Sequence, residues 1–347
     1  MGIPVELKIL NPLNIPNWDD LLLSTEGASF FHSAAWARVL SESYGYKPLY
    51  FTSIEGGKLS ALVPLMEIKS FLTGRRGVSL PFTDYCSPIV GNRDQFHEVV
   101  EEIRKHGKEE RWKYIEWRGA GDLFEQVAPS ITYYRHILHL SSTEDVLLRS
   151  FRESTKRNIK KATNQGMKVD ILRSSEAMKT FYGLNCLTRK DHGLPPQPYN
   201  FFRRVYEHII SKEKGFAVLG FYDENPVAGA VFFHFGKKAI YKYGASVKEY
   251  QRLRPNNLVM WEAIRHFNEA GFESFDFGRT EIENIGLIQF KDGWGTSRET
   301  VEYHKYDLRQ DSFIRSASNV GSYFHIFKNM PTPLLNLTGS LLYRHVG

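Results

Sequence analysis

Tyr241 to Gly295 reads YKYGASVKEYQRLRPNNLVMWEAIRHFNEAGFESFDFGRTEIENIGLIQFKDGWG. The order is strand, polar loop, helix, strand, loop, then an aromatic–lysine pair before a Gly-Trp-Gly turn. Val259, Ala263, Phe267 and Ala270 recur at helical spacing, and Gly271 suits a left-handed C-terminal cap. At Phe275-Asp276-Phe277-Gly278 the alternation changes to a period of two, so a strand follows the helix. Upstream, Gly215 to Ser246 reads as strand, turn (Asp223 to Pro226), strand and a further strand.

The same grammar occurs earlier in the chain. KPLYFTSIEGGKLSALVPLMEIKS, from Lys47, is strand, Gly-Gly turn, strand. EVVEEIRKHGKEERWKYIEWRG, from Glu98, is a helix running into an aromatic strand. Ile115-Glu116-Trp117 and Phe275-Asp276-Phe277 hold equivalent places about 160 residues apart. Hairpin, helix and strand occurring twice predict two related α/β domains in tandem. The expected boundaries are 1–140 for the first domain, 141–310 for the second, and 311–347 for a helical tail.

Composition agrees with this class. The 347 residues suggest two domains at roughly 150 residues each. Apolar residues make up 42% and charged ones 24%, as in soluble globular proteins. The net charge of +6 permits an anionic partner without demanding one. Two cysteines, Cys86 and Cys186, exclude a disulfide scaffold and a cysteine zinc cluster, and fit a reducing, cytoplasmic compartment. The proline-bearing start has no signal-peptide run, and no stretch approaches 18 apolar residues.

Between the copies, Ser141-Ser142-Thr143-Glu144 begins a helix. Leu147, Phe151, Thr155, Ile159 and Ala162 line one face; Arg149, Arg152, Lys156, Arg157, Lys160 and Lys161 crowd the rest, and Asn164-Gln165-Gly166 ends it. Lys156, Arg157, Lys160 and Lys161 are candidate contacts to an anionic partner; the alternative is a solvated basic face. After Tyr306, Phe313 to Lys328 reads as a further helix, Met330-Pro331-Thr332-Pro333 breaks it, and Leu334 to Tyr343 is short and apolar. Phe313, Tyr323, Phe324, Ile326, Phe327 and the following leucines, flanked by Arg315, Lys328, Arg344 and His345, suit either a peripheral membrane contact or a strap over the domains.

Several motifs carry nothing. Asp276-Phe277-Gly278 lacks the other kinase elements, Gly119-Ala120-Gly121 is too short for a dinucleotide fingerprint, and the twelve histidines form no zinc-protease pattern, so no metal site is expected. Cys86 reads as a buried thiol, with no base beside it in sequence.

The loop Gln251-Arg252-Leu253-Arg254-Pro255-Asn256-Asn257 stands where acetyltransferases of the GNAT superfamily cradle the coenzyme A pyrophosphate on backbone N–H groups. It has no glycine, and Pro255 removes a donor. YKYGAS, RPNNLVMWEAI, FDFGRT and QFKDGWG, with FHSAAWARV at Phe31 and STKRNIKKA at Ser154, together resemble the FemAB-like peptidyltransferases, and in the tail the branch found beside exopolysaccharide and exosortase gene clusters. The resemblance covers most of the chain, most strongly Arg152 to Tyr306. It implies a mixed α/β fold of two GNAT-like domains, the first a degenerate scaffold.

By the same resemblance, Phe290 and Lys291 lie at the transfer centre, the lysine stabilising the tetrahedral oxyanion. Tyr241, Tyr243, Arg254, Asn256, Asn257, Asp276, Arg279 and Gln197 are the implied substrate-binding residues. The chain departs from the family where Leu40 replaces a lysine and Gln197 an arginine that hold a substrate diphosphate; Arg189, Lys190, Arg203 or Arg254 are candidate substitutes. It also lacks the charged helical hairpin associated with tRNA contact. The resemblance implies acyl or aminoacyl transfer to an amine of a cell-wall or exopolysaccharide precursor; the composition of the tail suits a place at the inner face of the membrane. Aminoacyl-tRNA or acyl-coenzyme A is the donor, with no tightly bound cofactor. The alternatives are a coenzyme A-dependent N-acyltransferase and a non-catalytic factor that binds a glycan-lipid.

Overall fold

The computed structural model describes residues 7–140, 143–315, 327 and 330–347. They divide into two compact units. One contains residues 7–133, 300–315 and 342–347, the other 134–299 and 330–341. The division comes between residues 133 and 134, and residues 300–315 and 342–347 belong to the first unit.

In the first unit, β1 (Lys8–Leu10), α1 (Trp18–Leu23) and α2 (Ala34–Tyr44) precede a long hairpin of β2 (Lys47–Glu55) and β3 (Lys58–Ser70). Glu55 pairs with Lys58 across Gly56 and Gly57, whose φ values of 55° and 79° are those a two-residue hairpin turn requires. Then come β4 (Gly74–Val78), the short β5 (Ile89–Val90), α3 (Arg93–Glu109) and β6 (Tyr114–Arg118). The Asn92 side chain accepts from the Gln95 amide and starts α3, whose Phe96, Val99, Val100 and Ile103 pack on Phe51, Val63, Leu65 and Trp117. The strand order is β1-β2-β3-β4-β6-β13, where β13 is Ser297–Asp307. β4 and β6 run parallel, Gly77 opposite Ile115 and Val78 opposite Glu116.

The second unit opens with β7 (Ile131–His139), α4 (Glu144–Ser150), α5 (Glu153–Asn164), β8 (Lys168–Leu172), α6 (Ser175–Asp191) and α7 (Tyr199–His208). β9 (Gly215–Tyr222), β10 (Asn225–Phe235), β11 (Lys238–Ser246), α8 (Pro255–Glu269), β12 (Ser274–Glu281) and α9 (Ile285–Asp292) follow. The order is β7-β12-β11-β10-β9-β8. β11 and β12 are the parallel pair, with Phe275 and Asp276 opposite Ala239 and Ile240, so the repeat seen in sequence is a repeat of topology. Phe216, Phe232, Phe267, Phe275, Phe277 and Trp294 fill the core beneath α8.

Two expectations change. The basic segment is not one helix: Phe151 and Arg152 are extended (ψ 146° at both), and the Arg152 amide donates to Gly293 O at 2.9 Å, so the chain breaks between α4 and α5. Phe313 is no helix start; it lies in β14 (Ser312–Phe313), opposite Tyr306. Most of the expected Phe313–Lys328 helix falls outside the described residues, with Tyr323, Phe324, Ile326 and Lys328 among those not covered.

The last helix, α10, spans Thr332–Val346. Leu335 on it is fully buried, whereas Leu334, Leu337 and Leu341 are more than half exposed. Within the first unit the final residues are clasped by buried Arg76, which donates to His345 O at 2.8 Å and to Gly347 O at 2.9 Å, and by Tyr46, which donates to Tyr343 O at 3.0 Å.

Candidate active site

The parallel ladder of the second unit runs from Lys238–Ser274 to Ile240–Asp276. Just past it, Tyr241, Gly244, Ala245 and Ser246 of β11 line a cavity of about 580 Å³. Its other walls are Thr188, Asp191 and His192 at the end of α6, Lys248 and Gln251 of the following 3-10 turn, Asn256 of α8 and Leu287 of α9. The Thr188 hydroxyl donates to Ser246 O (3.2 Å) and accepts from its amide (3.0 Å), tying α6 to the strand end. Asn256 Nδ2 donates to the Ser246 hydroxyl at 3.2 Å.

A bulge aims Tyr241. Val231 and Phe232 are consecutive in β10, yet they oppose Tyr243 and Tyr241, so Lys242 is the extra residue and the two tyrosines face opposite sides. Tyr241 lines the cavity. A Cβ on Gly244 would occupy the Tyr241 hydroxyl, so the glycine leaves the space in which the ring lies. Burial pushes the Tyr241 phenol up to about 12; as any tyrosine does at neutral pH, it carries its proton and can donate.

A buried polar cluster lies along β12, β7 and the end of α9. Arg135 donates to Asp276 Oδ2 (2.7 Å), and Asp276 Oδ1 accepts from the Gly278 amide (2.7 Å). Gly278 has φ +69°, a bend only glycine adopts without strain. Lys291, 2% exposed, donates from Nζ to Gly278 O (2.9 Å) and Arg279 O (3.1 Å). Asp292 binds Arg298 at 2.6 Å and lies 3.3 Å from Nε2 of the fully buried His136. Burial, with the Lys291 charge, pushes the His136 imidazole down to about 4.

The expected residues are placed unevenly. Tyr241 and Asn256 line the cavity. Tyr243 does not, because the bulge turns it into the aromatic packing of Phe201, Phe202 and Phe233. Lys291 lies one helical turn beyond the lining residue Leu287, with Phe290 half-buried against Trp294. Asp276 and Arg279 belong to the β12 bend. Gln197 is buried in the loop after α6. Arg254 caps α8 in a left-handed conformation (φ 63°), with Pro255 in the first turn and the Asn257 amide bonded back to Arg254 O. On α5, Arg157, Lys160 and Lys161 are exposed, whereas Lys156 is half-buried and paired with Glu153 at 2.5 Å. Cys86 is buried, which raises its thiol and keeps it protonated.

Sequence reasoning missed Thr188, Asp191, His192, Gly244, Lys248 and Leu287. The spacing of Thr188, Asp191 and His192 puts them on one helical face, which was readable; that this face meets a strand end was not.

Residues 149–291 match the family model described as an acetyltransferase (GNAT) domain. Among curated proteins, the lipid II:glycine glycyltransferase of Staphylococcus saprophyticus is 37% identical over 76 residues, 20% of this chain and 18% of that protein. The enzyme of the same name from Staphylococcus epidermidis is 34% identical over 91 residues, 24% of this chain and 22% of that protein. The chain thus spans about a fifth of the length of these relatives. The crystal structure of FemX superposes with a TM-score of 0.68 at 16% identity, over 88% of this chain and 98% of that one. The chain resembles the FemAB-like peptidyltransferases. The fold is that of tandem GNAT proteins; one from the clavulanic acid pathway superposes with a TM-score of 0.56 at 9% identity, over 88% of this chain and 98% of that one.

Proposed function

We propose that the chain transfers an aminoacyl group to an amine of a cell-envelope precursor, using the cavity at the end of the β11–β12 ladder. The observation that carries this reading is Tyr241: a half-buried phenol aimed by a bulge into a cavity with polar walls, in the domain that matches the GNAT family. A donor carbonyl seated there meets the phenol, which stabilises the developing oxyanion. Lys291 supports the transition state from behind, fixing the carbonyls of the β12 bend and adding positive charge one helical turn from the cavity. The lipid II-linked precursor of the glycyltransferase relatives is the model for the acceptor; an exopolysaccharide precursor is the variant of the same chemistry suggested by the tail.

The donor is aminoacyl-tRNA rather than acyl-coenzyme A. Pro255 and the bonded Asn257 amide leave the start of α8 poor in free N–H groups for a pyrophosphate. Arg157, Lys160 and Lys161 on α5 offer an exposed basic face for an RNA backbone. A lipid-linked acceptor is met at the inner face of the membrane.

The deciding assay mixes the protein with radiolabelled glycyl-tRNA, or with labelled acetyl-coenzyme A, and lipid-linked or nucleotide-linked muramyl peptide. Label should pass from the tRNA to the peptide amine. Transfer from acetyl-coenzyme A alone would replace the donor; transfer from neither would leave a binding protein.

A further inference from the structure

The turn joining β3 to β4 carries Ser70-Phe71-Leu72-Thr73 at its tip. Phe71 is 87% exposed and Leu72 57%. Hydrogen bonds brace the turn: the Ser70 hydroxyl accepts from the amides of Leu72 (3.2 Å) and Thr73 (2.9 Å) and lies 3.0 Å from His345 Nδ1. The Thr73 hydroxyl donates to His345 O at 3.0 Å. The Phe71 ring stands edge-on to the His345 imidazole, with centroids 4.7 Å apart, and the neighbouring Val346 is 66% exposed. Large apolar side chains are therefore held outward by a fixed turn.

Cations surround this tip. Lys69 and Arg75 face each other at the base of the turn, Lys113 lies against Gly74, Lys47 is opposite Glu67 on the adjoining strand, and Arg344 precedes His345. Among the described residues, the acids these cations are seen to pair with are Glu67, which is buried and shared by Lys69 and Arg75, and Glu110, which Arg75 also binds. Five cations against two carboxylates leave an excess of positive charge around an apolar point.

We propose that this tip inserts into an anionic lipid bilayer, Phe71 and Leu72 entering the acyl boundary while Lys47, Lys69, Lys113 and Arg344 meet the phosphate headgroups. An apolar point inside a cationic ring matches a surface that is apolar within and anionic outside. A projecting turn of this size offers far less than the roughly 800 Å² per partner of a stable protein interface, and a bilayer needs no matching cavity. The proposal deepens the envelope-precursor reading by naming where the protein touches the membrane.

The experiment is sedimentation of the full chain with vesicles of phosphatidylglycerol and phosphatidylcholine, against phosphatidylcholine alone. Wild-type protein should sediment with the anionic vesicles at low salt and less so at high salt. Phe71→Ser with Leu72→Ser should lower partitioning about tenfold or more, with an unchanged melting temperature because both side chains are exposed. The native tryptophans are at most 7% exposed, so Phe71→Trp adds an exposed reporter that brominated lipid should quench. Wild-type protein that stays in the supernatant, a double variant that sediments like wild type, or an unquenched Trp at position 71 would each overturn the proposal. If Leu334, Leu337 and Leu341→Ser abolish sedimentation while the tip variant does not, the contact lies in α10 instead. Transfer to a nucleotide-linked, water-soluble acceptor should survive the tip substitutions; its absence in wild type would count against the transfer reading alone.

Discussion

Arg135 and Asp276 are 141 positions apart in sequence and meet with Nε 2.7 Å from Oδ2. The other oxygen of Asp276 holds the Gly278 amide, so one ion pair fixes the bend of β12 whose carbonyls receive Lys291. Asp276→Asn removes the charge and keeps the shape. The variant should lose about 2–3 kcal/mol, below the full cost of orphaning a buried charge because Arg135 also binds Glu299 at 3.1 Å. Urea unfolding checks this, and a loss under about 0.5 kcal/mol would show that the bend stands without the pair.

Lys291→Met should reduce turnover about a hundredfold, the scale of a displaced catalytic geometry, because Lys291 fixes the carbonyls of the β12 bend behind the cavity. Because Nζ is buried and bonded to two carbonyls, stability should fall as well, by about 1–3 kcal/mol. Steady-state transfer at a temperature where the variant is fully folded separates the two effects. Wild-type turnover there would remove Lys291 from catalysis and leave it a structural strut.

His136 sets a stability limit on the acid side. Its imidazole titrates near the ordinary histidine value of 6.5 in the unfolded chain and at about 4 when folded, so the unfolded state takes the proton first. The contribution is fully present above about pH 6.5 and is lost as pH falls toward 4, amounting to about 3 kcal/mol at most. Denaturation midpoints measured between pH 7 and 4 should drop for wild type and change less for His136→Leu. Parallel curves would show that carboxylates alone govern the acid limit.

Gly244→Ala tests the space that Tyr241 uses. A methyl there collides with the phenol hydroxyl, so the ring must leave its place over the strand. Transfer should fall about tenfold or more while the melting temperature moves little, since Gly244 itself is exposed. Tyr241→Phe should show a similar loss. If the alanine variant were fully active, the hydroxyl would have no part in the reaction.

Much of the second unit was legible because its signals are local. The spacing of Val259, Ala263 and Phe267 and the glycine after the helix specify α8 regardless of surroundings. Comparison of Ile115-Glu116 with Phe275-Asp276 exposed the duplication, since both pairs sit in the strand that adds parallel to its neighbour. Tyr243 was misplaced for a physical reason: strict alternation puts it beside Tyr241, and only pairing with β10 reveals the extra residue Lys242. The cavity wall at Thr188, Asp191 and His192 was hidden because hydrogen bonds between segments 58 positions apart create it. The break at Phe151–Arg152 depends on Gly293, and no window along the helix contains that partner.

The strand β13 carries a lesson about the order in which this protein is made. It completes the sheet of the first unit by pairing with β6, Tyr303 opposite Arg118 through Asp307 opposite Tyr114. On the ribosome, β6 emerges long before residues 303–307 do, so its outer edge waits, unpaired, while residues 134–299 of the second unit are synthesised. A fragment ending near residue 140 would keep that edge permanently bare. Nascent chains stalled at that length should bind chaperones and resist cooperative folding, whereas chains extended past residue 315 should close.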